Sequence, residues 1–105
     1  MNTNEYLDKA KEAARLPSDY ALAKELGIRS SAISNYRSGR SHFDDVISAK
    51  IASLIGIHAG LVMLDMHRQR ANTPEEAVVW QEIFKGFLKL LPRAKSGRHF
   101  LRLRA

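Results

Sequence analysis

Glycine and proline divide the chain into short segments, and this division constrains the fold more than any other feature of the sequence. Turn-forming residues occur at Leu16-Pro17-Ser18, Gly27, Gly39-Arg40, Gly56, Asn72-Thr73-Pro74 and Pro92. Between them, apolar residues recur every three or four positions, as in helices, and the alternation typical of strands is weak. The sequence therefore predicts an all-α protein with helices over 4–15, 19–26, 31–38, 44–55, 58–68 and 74–91.

The length of the chain suggests how these helices are organised. Its 105 residues fit one compact domain and are too few for two. We expect five helices within residues 1–72 to form the body of the domain. Residues 73–91 add a long sixth helix that we expect to mediate dimerisation, and residues 92–105 form a basic tail that we expect to be flexible.

Composition bears on location and on chemistry. The chain has no cysteine, which excludes disulfides, thiolate metal sites and thiol nucleophiles. No apolar stretch approaches the roughly 20 residues that a membrane-spanning helix needs. The polar residues 1–8 do not resemble a signal peptide. We therefore expect a cytoplasmic protein that does not interact with membranes.

The positive charge of the chain is concentrated near its end. The formal net charge of +6 points to a polyanionic partner, chiefly nucleic acid. Residues 1–43 contain seven basic and five acidic side chains, residues 44–91 five and six, and residues 92–105 five basic ones and no acidic one. Net charge alone therefore does not establish DNA binding. The tail is compatible with an arm that contacts phosphates or with a strand that pairs with a partner, and we favour the arm.

Segment 44–55 is the most apolar of the short helices. Two aspartates in its first turn suit the helix dipole, and Gly56 is a natural stop. Several apolar side chains follow the aspartates, and we expect them to be buried: Val46, Ile47, Ile51, Leu54 and Ile55.

Segment 74–91 has the clearest helix start in the chain. Thr73 is the expected cap, Pro74 suits the first helical position and Glu76 completes a capping box. Its apolar residues form two adjacent stripes, one of Trp80, Phe84, Phe87 and Leu91, the other of Val79, Ile83 and Leu90. So wide an apolar arc needs two neighbours, one of which we expect to be a second subunit. The predicted dimer interface contains Val79, Trp80, Ile83, Phe84, Phe87 and Leu91; the alternative is that all of them belong to the internal core.

The stretch from Asp19 to Arg40 contains the most informative pattern. It reads as a short helix, a sharp turn at Gly27 and a second short helix, with Ala23 as the small residue where two steeply crossing helices approach. Ile28, Ile33 and Tyr36 are the apolar anchors. The remaining side chains are small or polar and face outward: Arg29, Ser30, Ser31, Ser34, Asn35 and Arg37. A surface of this kind suits the major groove of DNA, where short side chains let the backbone approach the base edges.

These residues resemble the lambda-repressor/Cro-type (XRE) helix-turn-helix regulators of phages and bacteria, and small phage-related members most of all. The matching residues are Leu22-Ala23, Leu26-Gly27-Ile28, Ala32-Ile33-Ser34 and Ser38-Gly39-Arg40. The resemblance is strongest over 18–40, extends over 4–68, where five helices fall at the family's spacing, and has no specific match beyond residue 73. The family often has glutamine where this chain has Asp19, a carboxylate that either repels phosphate or caps the helix.

The resemblance implies two roles for these side chains, contact with bases and contact with phosphates. Residues expected to contact bases are Arg29, Ser30, Ser31, Ser34 and Asn35. Residues expected to contact phosphates are Ser18, Arg37, Ser38, Arg40 and Ser41. Alternatives stay open at this point: Ser30 or Ser31 can instead cap the second helix, and Arg29 can face guanine, phosphate or solvent.

No pattern indicates catalysis or a bound cofactor. The four histidines, His42, His58, His67 and His99, lack the close spacing of a zinc site. The acidic pairs Asp44-Asp45 and Glu75-Glu76 lie at helix starts, where capping explains them. There is no glycine-rich phosphate loop. We expect no enzyme activity, no metal and no cofactor.

Taken with the resemblance, the sequence predicts a sequence-specific regulator of transcription that binds double-stranded DNA, a repressor of phage type. It would bind as a homodimer with helix 31–38 in the major groove and half-sites about 10 bp apart. Two alternatives remain. One is a small phage protein that docks on a host protein through the aromatic face of the last helix; the other is a non-specific nucleic-acid binder that depends on the tail.

Overall fold

The computed structural model describes residues 1–91. These residues form six helices and no strand, which confirms the all-α class. The helices are α1 (Thr3–Ala13), α2 (Asp19–Leu26), α3 (Ser30–Ser38), α4 (Asp45–Ile55), α5 (Ala59–Gln69) and α6 (Pro74–Leu90). Each begins and ends within two residues of its predicted bounds. The predicted tail, 92–105, lies outside the described residues.

Short-range capping explains most helix starts. The side-chain oxygens of Ser18, Asp44 and Thr73 accept hydrogen bonds from backbone N–H groups three residues ahead, as the sequence predicts for Thr73. The predicted capping box of α6 is wrong in one detail. The Glu76 carboxylate accepts from the N–H of Asn72, at 3.2 Å, rather than from that of Thr73.

The core of the domain is formed by side chains from α1 to α5. Leu7, Leu22, Ile33, Ile51 and Val62 are almost completely buried in it. The prediction that Val46 is buried is wrong: its side chain is 64% exposed, because Ile47 and Ile51 take the inward positions of α4. Leu54 and Ile55 are half-buried and pack against the same core.

A buried carboxylate links α1 to α5 and was not foreseen from the sequence. Asp65 is 1% exposed. It accepts hydrogen bonds from the Tyr6 hydroxyl, from the Arg68 guanidinium and, at 3.1 Å, from the Met1 amino group. Burial and the neighbouring Asp65 carboxylate raise the pKa of Tyr6 well above its usual value. The network compensates a charge that would otherwise be costly to bury.

Helix α6 packs along α5 through one of its two apolar stripes. Trp80 stacks on His67 with ring centroids 4.5 Å apart, and Arg68 lies 4.7 Å from the centre of the Phe84 ring. Phe84, Phe87 and Leu91 pack with Leu61. Trp80, Phe84, Phe87 and Leu91, which were predicted for a subunit interface, lie against α5 of their own chain and are half-buried there. Their contact with a second subunit stays a prediction.

The second stripe of α6 remains on the surface. Val79 and Ile83 are 53% and 45% exposed. Among the described residues, no helix is both long enough and apolar enough to cross a membrane.

Candidate nucleic-acid interface

The α2–turn–α3 unit is built by local interactions around Gly27. Gly27 ends α2 in the left-handed conformation, with φ of 73°, which costs a residue without a side chain little. The next N–H, that of Ile28, returns to the Ala23 carbonyl at 3.0 Å. Lys50 on α4 donates to the Leu26 carbonyl at 2.9 Å and so helps to close the end of α2.

Helix α3 is anchored on one side and open on the other. Ile33 and Tyr36 are buried, whereas Ser30, Ser31 and Ser34 are exposed, as the sequence predicts. The open face therefore carries only short polar side chains. A helix of this kind can bring its backbone close to a partner surface without a clash.

Neither Ser30 nor Ser31 caps α3, which was the alternative that the sequence left open. Ser30 and Ser31 lie inside the helix, and Arg29 occupies the capping position. Within residues 1–91, no side chain caps this N-terminus. The exposed Arg29 side chain and the positive end of the helix dipole therefore lie together, which favours an anionic partner.

The end of α3 brings together several predicted site residues. Asn35 is half-buried, and its side-chain oxygen lies 3.4 Å from the Arg40 guanidinium. Its backbone carbonyl accepts from the Arg40 N–H at 3.0 Å and from the Ser38 hydroxyl at 3.1 Å. This arrangement holds Ser38, Arg40 and the half-buried Ser41 in one turn, next to the exposed face of α3.

The Arg37 guanidinium is bound by several groups of its own chain. It binds Asp19 at 2.9 and 3.0 Å and Asp8 at 2.8 Å. It also donates to the Asn4 carbonyl at 3.4 Å. Through these bonds the side chain of Arg37, which was predicted as a phosphate contact, joins α3 to α1 and α2.

Asp19 has a role that the sequence left open. Its carboxylate binds Arg37 and, at 3.0 Å, Lys11, whereas Ser18 caps α2. Hydrogen bonds from Arg37 and then Lys11 outweigh partial burial and lower the pKa of Asp19 to about 2. The carboxylate is therefore ionised at neutral pH, and its negative charge is paired with Arg37 and Lys11 within the fold.

Phe43 positions the loop after α3 and was missed by sequence reasoning. It is fully buried, and its ring meets that of Tyr36 edge-on at 4.9 Å. Arg70 donates to its carbonyl at 3.2 Å. The available signal was a single aromatic residue in the otherwise polar loop between Gly39 and Asp44, which is typical of a loop fastened to a core.

No group of three or more metal-ligating side chains occurs within residues 1–91. No protein-family model matches this chain, and neither does any curated protein or solved structure.

Proposed function

We propose that this protein is a sequence-specific regulator that binds double-stranded DNA with α3 in the major groove. The observation that carries the proposal is the asymmetry of α3. Ile33 and Tyr36 fasten one side to the core, while the three serines of the other side are exposed. Only short side chains then separate the helix backbone from the base edges.

Base contacts would come from the exposed face and both ends of α3. The Asn35 amide can pair with adenine through two hydrogen bonds once it exchanges its 3.4 Å contact with Arg40 for the base. Arg29, Ser30, Ser31 and Ser34 are exposed and supply the remaining contacts. Arg29 can pair with guanine in the same two-point manner.

Phosphate contacts would surround this face. Ser18, with the backbone N–H groups at the start of α2, suits a phosphate. Ser38, Arg40 and Ser41 would follow the DNA backbone beyond α3. Arg37 acts here as a positioning residue, because the Asp8 and Asp19 carboxylates and the Asn4 carbonyl hold it within the fold.

A homodimer would place two α3 helices on successive turns of DNA. The described domain is 35 Å across its longer dimensions, close to the roughly 34 Å of one turn of B-DNA. Two domains side by side would thus contact half-sites about 10 bp apart. Such a protein would repress by covering a promoter in the cytoplasm, in the manner of a phage repressor.

The test is a selection of binding sites from a random duplex library at near-physiological salt. Wild type is compared with Asn35→Ala and with Asn72→Ala, an exposed asparagine outside the α2–α3 unit. We expect a two-fold symmetric motif that Asn35→Ala relaxes at one position in each half-site and Asn72→Ala leaves unchanged. Absence of an enriched motif, with binding that disappears at higher salt, would refute sequence-specific recognition.

A further inference from the structure

The outer stripe of α6 has the spacing of a helix–helix seam. Val79, Ile83, Gly86 and Leu90 follow one another at intervals of four, three and four residues, which keeps them on one face of a helix. Val79, Ile83 and Leu90 are 53%, 45% and 80% exposed. Large aliphatic side chains in a continuous exposed row indicate a surface that is covered by a partner.

Charged residues along this row are arranged asymmetrically. Glu82 and Lys89 are seven residues apart, so they border the seam on the same side. Glu75 lies seven residues before Glu82 and so continues the same border toward the N-terminus of α6. The border is therefore acidic in the first half of α6 and basic in its last turn, where Lys89 lies.

We infer that α6 pairs in antiparallel orientation with α6 of a second copy of the chain. In that orientation Val79 faces the partner's Leu90, and Ile83 faces the partner's Gly86. Both pairs belong to one register, because residue numbers rise along one helix and fall along its antiparallel partner, so that facing residues have a constant sum. The same register brings Glu82 near Lys89 of the partner subunit. The apolar contacts and this ion pair therefore form in a single arrangement of the two helices.

The small residue in the seam favours this orientation over the parallel one. A methyl group added to Gly86 would meet no atom within 4 Å, so the space above it is open to an incoming side chain. Ile83 of the partner would fill it. A parallel pair would set glycine against glycine and would leave Glu82 and the partner's Lys89 about 10 Å apart along the helix axis.

The inferred interface is short. From Val79 to Leu90 the seam extends about 16 Å, less than a standard protein interface requires. We therefore expect a dissociation constant in the micromolar range, with the dimer favoured when both α3 helices bind DNA. This inference deepens the homodimer of the proposed function and rests on it for its biological role, whereas the pairing itself can be tested without DNA.

Engineered cysteines test the orientation, because the natural chain contains none. Full-length Val79→Cys and Leu90→Cys variants are oxidised separately and as a mixture. Antiparallel pairing predicts efficient cross-linking only in the mixture. Cross-linking of each variant with itself would indicate a parallel pair and would overturn the inference.

A charge exchange tests the same register in solution. By sedimentation equilibrium without DNA, we expect Glu82→Lys or Lys89→Glu to weaken the dimer about tenfold and the double variant to restore it. Glu12→Lys, an exposed charge reversal on α1, is the matched control. Ile83→Asp should give a monomer with an unchanged helical circular dichroism spectrum.

The outcomes separate this inference from the proposed function. A wild-type protein that remains monomeric and gives no cross-link would overturn it. Selection of a single, non-repeated DNA motif by such a monomer would leave sequence-specific binding intact. A dimer that selects no DNA motif would do the reverse.

Discussion

The Arg37 guanidinium on α3 meets the Asp19 carboxylate on α2 at two points. The Nε–Oδ2 distance is 3.0 Å and the Nη2–Oδ1 distance is 2.9 Å. A planar guanidinium bound in this way restricts both distance and orientation. Because α2 and α3 are joined by a sharp turn, this contact sets the angle at which the exposed face of α3 is presented.

We expect Arg37→Ala and Asp19→Ala each to destabilise the fold by about 1 kcal/mol, because the pair is partly exposed and screened by water. A double-mutant cycle measured by urea denaturation should return a coupling energy of about the same size. Lys9→Ala, which removes an exposed charge from α1, is the control. Additive effects of the two substitutions would contradict a direct interaction.

The same carboxylate predicts the response to acid. The pKa of Asp19 is about 2 in the folded protein, below its ordinary value of 3.8, so the ionised form stabilises the fold. That contribution is complete above pH 4 and is lost as the pH falls toward 2. The difference in Tm between wild type and Asp19→Asn should therefore shrink over this range. A difference that stays constant would show that Arg37 does not perturb Asp19.

Salt dependence should separate phosphate contacts from base contacts. Arg40→Gln is expected to weaken binding to all DNA sequences alike and to reduce the slope of log K against log salt by about one. Lys85→Gln removes the same charge from the exposed side of α6 and should leave the slope unchanged. Equal slopes for the two variants would exclude Arg40 as a phosphate contact.

Gly60 allows α6 to approach α5 closely. A methyl group at this position would lie 2.7 Å from the end of the Phe87 ring and 3.1 Å from His58. We expect Gly60→Ala to displace α6 at a cost of about 1–3 kcal/mol, which equals or exceeds the gain in helix propensity of about 1 kcal/mol. Trp80, the single tryptophan, should show a red-shifted emission because its stacking on His67 loosens.

Gly86→Ala is the matched control for that displacement, since the added methyl group meets no neighbour within its own chain. At concentrations where the protein is monomeric, it should leave the Trp80 spectrum unchanged. A shift of equal size in both variants would mean that Trp80 does not report on the contact between Gly60 and Phe87.

Removal of the buried carboxylate should strongly destabilise the fold. Asp65→Ala leaves the Arg68 guanidinium and the Tyr6 hydroxyl without their shared acceptor. We expect a loss of about 3–5 kcal/mol, measured by chemical denaturation. Asp45→Ala, at a carboxylate that is 64% exposed, should cost about 0.5 kcal/mol or less. Similar losses for both would show that the buried network contributes little.

Short-range features were predictable to different degrees. The α2–turn–α3 unit follows from Ser18 and Gly27, whose effects reach only three or four residues along the chain. The exposure of Ser31 and Ser34 follows from helical spacing around Ile33. Val46 shows the limit of this reasoning, because an apolar residue in the first turn of a helix can face either way.

The sequence by itself determined the six helices and their bounds to within two residues. It also determined that the exposed face of α3 carries short polar side chains. Caps, turns and periodicity act locally, which is why these features were predictable. Only the tertiary structure decided that Arg37 binds Asp8 and Asp19 and that Asp65 joins α1 to α5. It also decided which stripe of α6 packs on α5. The partners in these contacts are up to about 60 residues apart, and only packing of the whole chain brings them together.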